Sequence, residues 1–248
     1  LLHSAVRMGH AEVAALLIEK GANVRAVDSY GNSTLENAVS QKHKGVAKLL
    51  VSKGADINAR NKNGNTLWTQ NIEKSVFELL IDLGADVNAK DKSGKSPLHQ
   101  IAYYGDPGIA ELLISKGADI NAADTGGSTP LDAAINARKK EMAAYLISKG
   151  ADIESKDKYG KTRLQRALSK DETVLLIGLG ADVNPKDQFG KTLLHWAVSE
   201  NKKDIVELLI TNGADVNAKD NEGGTALHQA VLDNRKEILS ILIQIGAE

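Results

Sequence analysis

Between Asp187 and Lys219 (DQFGKTLLHWAVSENKKDIVELLITNGADVNAK), apolar residues fall at spacings of three and four. Leu194, Ala197 and Val198 share one face of a short helix, and Ile205, Leu208 and Leu209 do the same on a second. The polar stretch from Glu200 to Lys203 separates them and contains Asn201, a turn signal. Gly213 follows the second helix, where the chain must take a left-handed conformation that glycine adopts without strain. The segment beyond it, rich in Asp, Asn and Gly, predicts a hairpin-like connector. The predicted unit is therefore helix, turn, helix and projecting finger.

The unit recurs. Gly-Ala stands at Gly21, Gly54, Gly84, Gly117, Gly150, Gly180, Gly213 and Gly246, at spacings of 33, 30, 33, 33, 30, 33 and 33 residues. A second series, Gly31, Gly64, Gly94, Gly127, Gly160, Gly190 and Gly223, runs in step with it. The units run 1–27, 28–60, 61–90, 91–123, 124–156, 157–186, 187–219 and 220–248. The order 33, 30, 33 occurs twice, which makes a larger period of 96 residues and equates His3, His99 and His195.

Two motifs carry a resemblance that covers essentially the whole chain. The first is Ser96-Pro97-Leu98-His99, with Thr192-Leu193-Leu194-His195, Thr225-Ala226-Leu227-His228 and, ending in Asp, Thr129-Pro130-Leu131-Asp132. The second is Gly-Ala-Asp-Val/Ile-Asn, at residues 54–58, 84–88, 117–121, 180–184 and 213–217. The chain resembles the ankyrin repeat family. The resemblance implies an all-α solenoid, a curved stack of about eight helix-turn-helix units with β-hairpin fingers. Because each repeat touches only its neighbours, residues 1–248 are expected to form one elongated domain, about 80 Å long at about 10 Å per layer. Leu2, Ala5 and Val6 have the character of internal residues, so the chain is read as a fragment of something longer.

The two short units depart from the pattern. Each loses three residues from its first helix or the turn after it, around Ile72 and around Leu168, which predicts a local step at units three and six. Unit six has three further blemishes. Gly178 interrupts its second helix at a cost of about 1 kcal/mol. Glu172 takes the register of Val13, Val46 or Ile205, and the signature is degraded to Thr162-Arg163-Leu164-Gln165. Unit three offers Trp68 in the usual Leu position and Phe77 in compensation. Unit six is expected to be the softest joint.

Composition narrows the chemistry. Lys and Arg number 31 against 32 Asp and Glu, and there are two Trp, five Tyr, two Phe and no Cys. The core must be built mainly from Leu, Ile, Val and Ala. The lack of cysteine excludes a disulfide framework, a thiolate metal site and a Cys nucleophile, and fits a reducing, cytoplasmic setting. No apolar run approaches the roughly 18 residues of a membrane span. The histidines at 3, 99 and 195 lie three repeats apart, too far to share a metal, and the resemblance gives signature histidines a bond to the neighbouring finger. His10 and His43 fall at capping-type positions that start second helices. No nucleophile elbow or phosphate loop occurs. The sequence reads as a non-enzyme without cofactor or metal.

A partner is expected where residues depart from the repeat, on fingers and first helices. Tyr30, Tyr159 and Phe189 share one finger position; Tyr103 and Tyr104 end the first helix of unit four; Trp196 lies in that of unit seven. Packing onto the next repeat is the alternative for each ring, most of all for Trp196. Lys92 and Lys95, Lys158 and Lys161, and Lys191, with Lys90, Lys156 and Lys186, give the fingers a basic edge. Acids such as Glu78, Asp82, Glu111, Glu141 and Glu207 would lie on the outer side. The expected function is a monomeric protein-interaction scaffold. A partner with an acidic segment would suit its basic edge, and the alternative for that edge is a merely solvated face. Two further readings remain: the recognition part of a larger enzyme, channel or effector, and a nucleic-acid binder that would use the finger lysines.

Overall fold

The computed structural model describes residues 1–70, 73–157, 159–167 and 169–247. Short helices come in pairs: α1 (Leu2–Arg7) with α2 (Ala11–Glu19), and α3 (Thr34–Ser40) with α4 (Lys44–Ser52). A 3-10 turn, Leu67–Gln70, precedes α5 (Lys74–Asp82). Next come α6 (Pro97–Tyr104) with α7 (Pro107–Ser115), and α8 (Pro130–Asn136) with α9 (Lys140–Ser148). A second 3-10 turn, Leu164–Arg166, precedes α10 (Lys170–Gly178). The series closes with α11 (Leu193–Ser199) and α12 (Lys203–Thr211), then α13 (Ala226–Leu232) and α14 (Lys236–Gln244). One continuous apolar core runs from Leu2 to Leu242, built from small and branched aliphatics and joined by Trp68 and Phe77. No helix among the described residues is long and apolar enough to cross a membrane.

Local chemistry explains the recurrence. The signature motif is a capping box: Ser33, Ser96, Thr129, Thr192 and Thr225 cap their helices, and the third residue inside (Glu36, His99, Asp132, His195 or His228) bonds back to the cap. Pro97 and Pro130 occupy the first helical turn, where no amide is needed. The Gly-Ala ladder is a helix-ending motif: Ala214 N–H donates to the Leu209 carbonyl at 2.9 Å and Gly213 N–H to Ile210 at 3.1 Å. Asn201 does take the left-handed turn between paired helices, and Lys42, Arg138 and Asn234 take it elsewhere.

Neighbouring pairs are clasped by the connector Asn. Asn88 Oδ1 accepts from Asp119 N–H at 2.8 Å while its Nδ2 donates to the Gly117 carbonyl at 2.9 Å. Asn184 holds Asp215 and Gly213 in the same way. Each finger is a hairpin turn of minimal length. In the fourth, Asp91 N–H donates to the Lys95 carbonyl, and Asp91 Oδ1 accepts from the amides of Ser93 and Lys95. The Asp side chain takes up amides that a longer ladder would use. Among the described residues only isolated bridges form, Val27–Ser33 and Lys156–Thr162.

At both short units a 3-10 turn stands where the other pairs have a full first helix, as the missing residues predict; Ile72 and Leu168 themselves lie outside the described residues. Trp68 fills the third pair from within, 2% exposed, its ring 5.3 Å from Phe77 and its indole N–H donating to the Asp86 carbonyl. The sixth pair is held by charge instead. Arg163 bonds Glu172, and both Arg163 and Arg166 reach Asp132 of α8, at 3.7 and 3.0 Å. Arg166 also reaches Asp157 at 3.4 Å. Glu172 and Arg163, two blemishes in the sequence, are thus one ion pair.

Candidate functional site

The signature histidines are structural. Ser96 N–H donates to His99 Nδ1 at 3.1 Å, which fixes the proton on Nε2, and Nε2–H donates to the Ser128 carbonyl at 2.9 Å. His195 repeats the arrangement with Thr192 and Gly224, and His3 Nε2 lies 3.4 Å from the Asn32 carbonyl. Burial holds the pKa of both His99 and His195 below the usual value, against the opposing pull of those carbonyls. His10 and His43 do stand at helix starts, but neither side chain caps; His43 Nε2 instead bonds the Arg7 carbonyl of the preceding pair. Among the described residues no three His, Asp or Glu gather as a metal site would need.

The predicted partner residues separate into two clefts and several outliers. The first cleft, about 460 Å³, lies between the fourth and fifth fingers and the face of α6. Tyr103 and Tyr104 form its wall, 55% and 48% exposed, ring edge against ring face at 5.6 Å. Lys95, Gln100, Thr69 and Asn136 contribute polar groups. The second cleft, about 450 Å³, sits on α11 between the seventh and eighth fingers. Phe189, Trp196, Lys161 and Lys191 line it together. Trp196 is 44% exposed with the Lys161 ammonium 4.8 Å from its ring centre, so the surface position prevails over the core alternative.

Tyr30 and Tyr159 are exposed at finger tips and line neither of these clefts. Lys92 lies against the preceding finger, close enough that a Cβ on Gly64 would come within 2.9 Å of its own Cβ. Lys158 lies outside the described residues. The basic edge is thinner than its lysine count. Lys90 Nζ donates to the Ala123 carbonyl and Lys186 Nζ to the Lys219 carbonyl, so both tie one finger to the next. The acids Glu78, Asp82, Glu111, Glu141 and Glu207 are exposed on the second helices.

Sequence reasoning missed Gln100, Thr69 and Asn136, and it did not see that the two clefts correspond. The signal was present in the 96-residue period. Asp91 and Asp187, Lys95 and Lys191, His99 and His195, Gln100 and Trp196, Tyr103 and Ser199, Tyr104 and Glu200, and Asp124 and Asp220 are equivalent pairs lining the two clefts. The walls correspond as well. Thr125 N–H donates to the Ser93 carbonyl in one and Asn221 N–H to the Phe189 carbonyl in the other, each at 3.0 Å.

Comparison with curated proteins finds no match for the chain. A family model described as Ankyrin repeats (3 copies) matches residues 1–61, 69–157 and 158–248, nearly the whole length. With capped helix pairs, glycine-ended second helices and finger-bridging histidines all in place, the chain belongs to the ankyrin repeat family.

Proposed function

We propose that this chain is a non-enzymatic scaffold that binds a partner protein on the face formed by its fingers and first helices. Ankyrin repeats are in general protein-interaction modules, and the finer assignment rests on one observation. Tyr103, Tyr104, Phe189 and Trp196 stand exposed on that face, lining clefts, although the core has no use for them. Aromatic anchors in partly desolvated hollows are where interfaces concentrate binding energy. The clefts are held open by packed helices and tied fingers, so a partner meets a preformed surface and little ordering cost. Lys95, Lys161 and Lys191 stand on the same face among Asp and Glu side chains, and an acidic segment of the partner would pair with these lysines. The chain acts as a monomer in this reading.

The test is affinity capture from a lysate of the source organism. The wild-type chain is compared with a variant carrying Tyr103→Ala, Tyr104→Ala, Phe189→Ala and Trp196→Ala, both checked by circular dichroism. A protein held by the wild type and lost by the folded variant is the expected outcome. Equal retention by both would remove these residues from the interface.

A further inference from the structure

We infer that the shortened sixth unit is a docking notch for one turn of an amphipathic helix of the partner, whose apolar side chains replace the helical turn this unit lacks. The inference rests on the finger-and-first-helix reading above and names the form in which the partner enters.

The first helices form a row. α1 packs on α3, α6 on α8 and α11 on α13. In the third unit the 3-10 turn Leu67–Gln70 keeps the row continuous, because it packs on α3 to one side and on α6 to the other. The corresponding turn of the sixth unit, Leu164–Arg166, packs mainly on its own second helix, α10. Each short unit lacks three residues, close to one helical turn. Only in the sixth does the row stay broken.

The larger period gives the reason. Trp68, Ile101 and Tyr104 stand 96 residues before Leu164, Ala197 and Glu200. At all three places a large side chain gives way to a smaller or a charged one. Trp68 closes the third unit from within. Leu164 is buried as well but has no ring to spread, and a hollow of about 480 Å³ lies beside its turn, within the roughly 300–1,000 Å³ of ligand pockets. Leu193, Ala197 and Ile205 give the hollow an apolar floor, and the exposed ring of Trp196 forms a wall.

Charge does not choose the occupant. Four charged residues line the hollow. Arg166 is held by Asp132 and Asp157, and Lys161 lies over the Trp196 ring. Lys202 and Glu200 remain, one of each sign. Continuity and shape choose it instead. The gap interrupts a row of helices that pack about 10 Å apart, so its width is that of a helix. A helix laid in such a groove presents apolar residues at spacings of three and four to the floor. Its entry takes Trp196 and the floor out of water and asks no rearrangement of the stack.

The experiment displays on phage a library of helical peptides of about 20 residues, long enough to hold a helix in water, with one turn randomised. Binders are selected against the whole chain, made as fluorescein-labelled peptides and titrated by anisotropy. The expected binders carry large apolar residues three and four apart in that turn, and a Pro placed within it abolishes binding. Leu164→Trp with Ala197→Ile gives the sixth unit the side chains found 96 residues earlier. This filled variant should weaken binding about tenfold or more, as should Trp196→Ala. Glu200→Tyr, at an exposed position, provides the same comparison should the filled variant fail to fold. Peptides that tolerate Pro, binding unchanged in the filled variants, or no enrichment of apolar turns would overturn the notch. Peptides lost on Tyr103→Ala with Tyr104→Ala but indifferent to the filled variants would overturn it while sparing the proposed face. Peptides lost only on Glu78→Lys and Glu111→Lys would sink both. Self-association of the chain, abolished by the filled variants, would assign the notch to a second copy instead.

Discussion

Glu172 is the third residue of α10, the register in which α4, α5, α7, α9, α12 and α14 bury Val46, Val76, Ile109, Met142, Ile205 and Ile238. A carboxylate is tolerated there because Arg163, standing where Pro97 and Pro130 stand in other signatures, bonds it with only 14% of its own side chain exposed. Removing one member of such a pair costs more than the pair contributes, since the remaining charge is left in a poorly solvated place. Arg163→Ala should therefore destabilise the chain by about 1–3 kcal/mol in urea unfolding. The joint change Arg163→Pro with Glu172→Val, which restores the pattern of the other repeats, should be at least as stable as wild type. An unaffected Arg163→Ala variant would show that the pair holds nothing. In sequence these residues read as separate defects. Their partnership spans the nine residues between a capping position and the next helix, and only the fold sets that distance.

At the scale of elements, the fingers divide into those tied to a neighbour by backbone and those that are not. Gly94 and Gly190 sit where the tie is made, both at positive φ, +77° and +74°. A Cβ on Gly190 would fall 2.8 Å from the backbone nitrogen of Asn221, while Gly180, at φ +95°, has open space around it. Gly180→Ala thus costs only the left-handed conformation, about 1–2 kcal/mol. Gly190→Ala must also push the eighth finger away and lose its bond to Phe189. The expected result is a larger destabilisation for Gly190→Ala than for Gly180→Ala in denaturant titrations. Equal losses would mean that the fingers yield freely. The turn glycines were legible from their spacing. Which of them touch a neighbouring backbone was not, because that depends on how far each finger leans toward the next.

Across the whole molecule, stability is a sum over repeats and the interfaces between them, so the weakest joint sets where the stack opens. The sixth pair buries little apolar surface: Thr173 and Leu176 are the buried residues of α10, against Val76, Phe77, Leu79 and Leu80 in α5. Both pairs lack a full first helix, yet only the third replaces it with aromatic packing. Amide hydrogen exchange should therefore show α10 and the turn Leu164–Arg166 opening before the other second helices. Protection in α10 equal to that in α5 would show that the ion pairs through Asp132 compensate fully. The same joint borders the second cleft, so a partner bound there should slow its exchange.

The helix pairs, their caps, their glycine ends, the two shortened units and the family are legible along the chain, because each depends on residues within about ten positions of one another. Tertiary structure decided the rest. Lys90 and Lys186 tie fingers together while Lys95 and Lys191 face open hollows, although all four read alike as finger lysines. Trp68 is core and Trp196 is surface, although each lies in or near a signature motif. The difference is lateral. What a side chain meets in a stack is set by the residue about one repeat away on the neighbouring unit, and where that unit has lost a helical turn the side chain faces solvent.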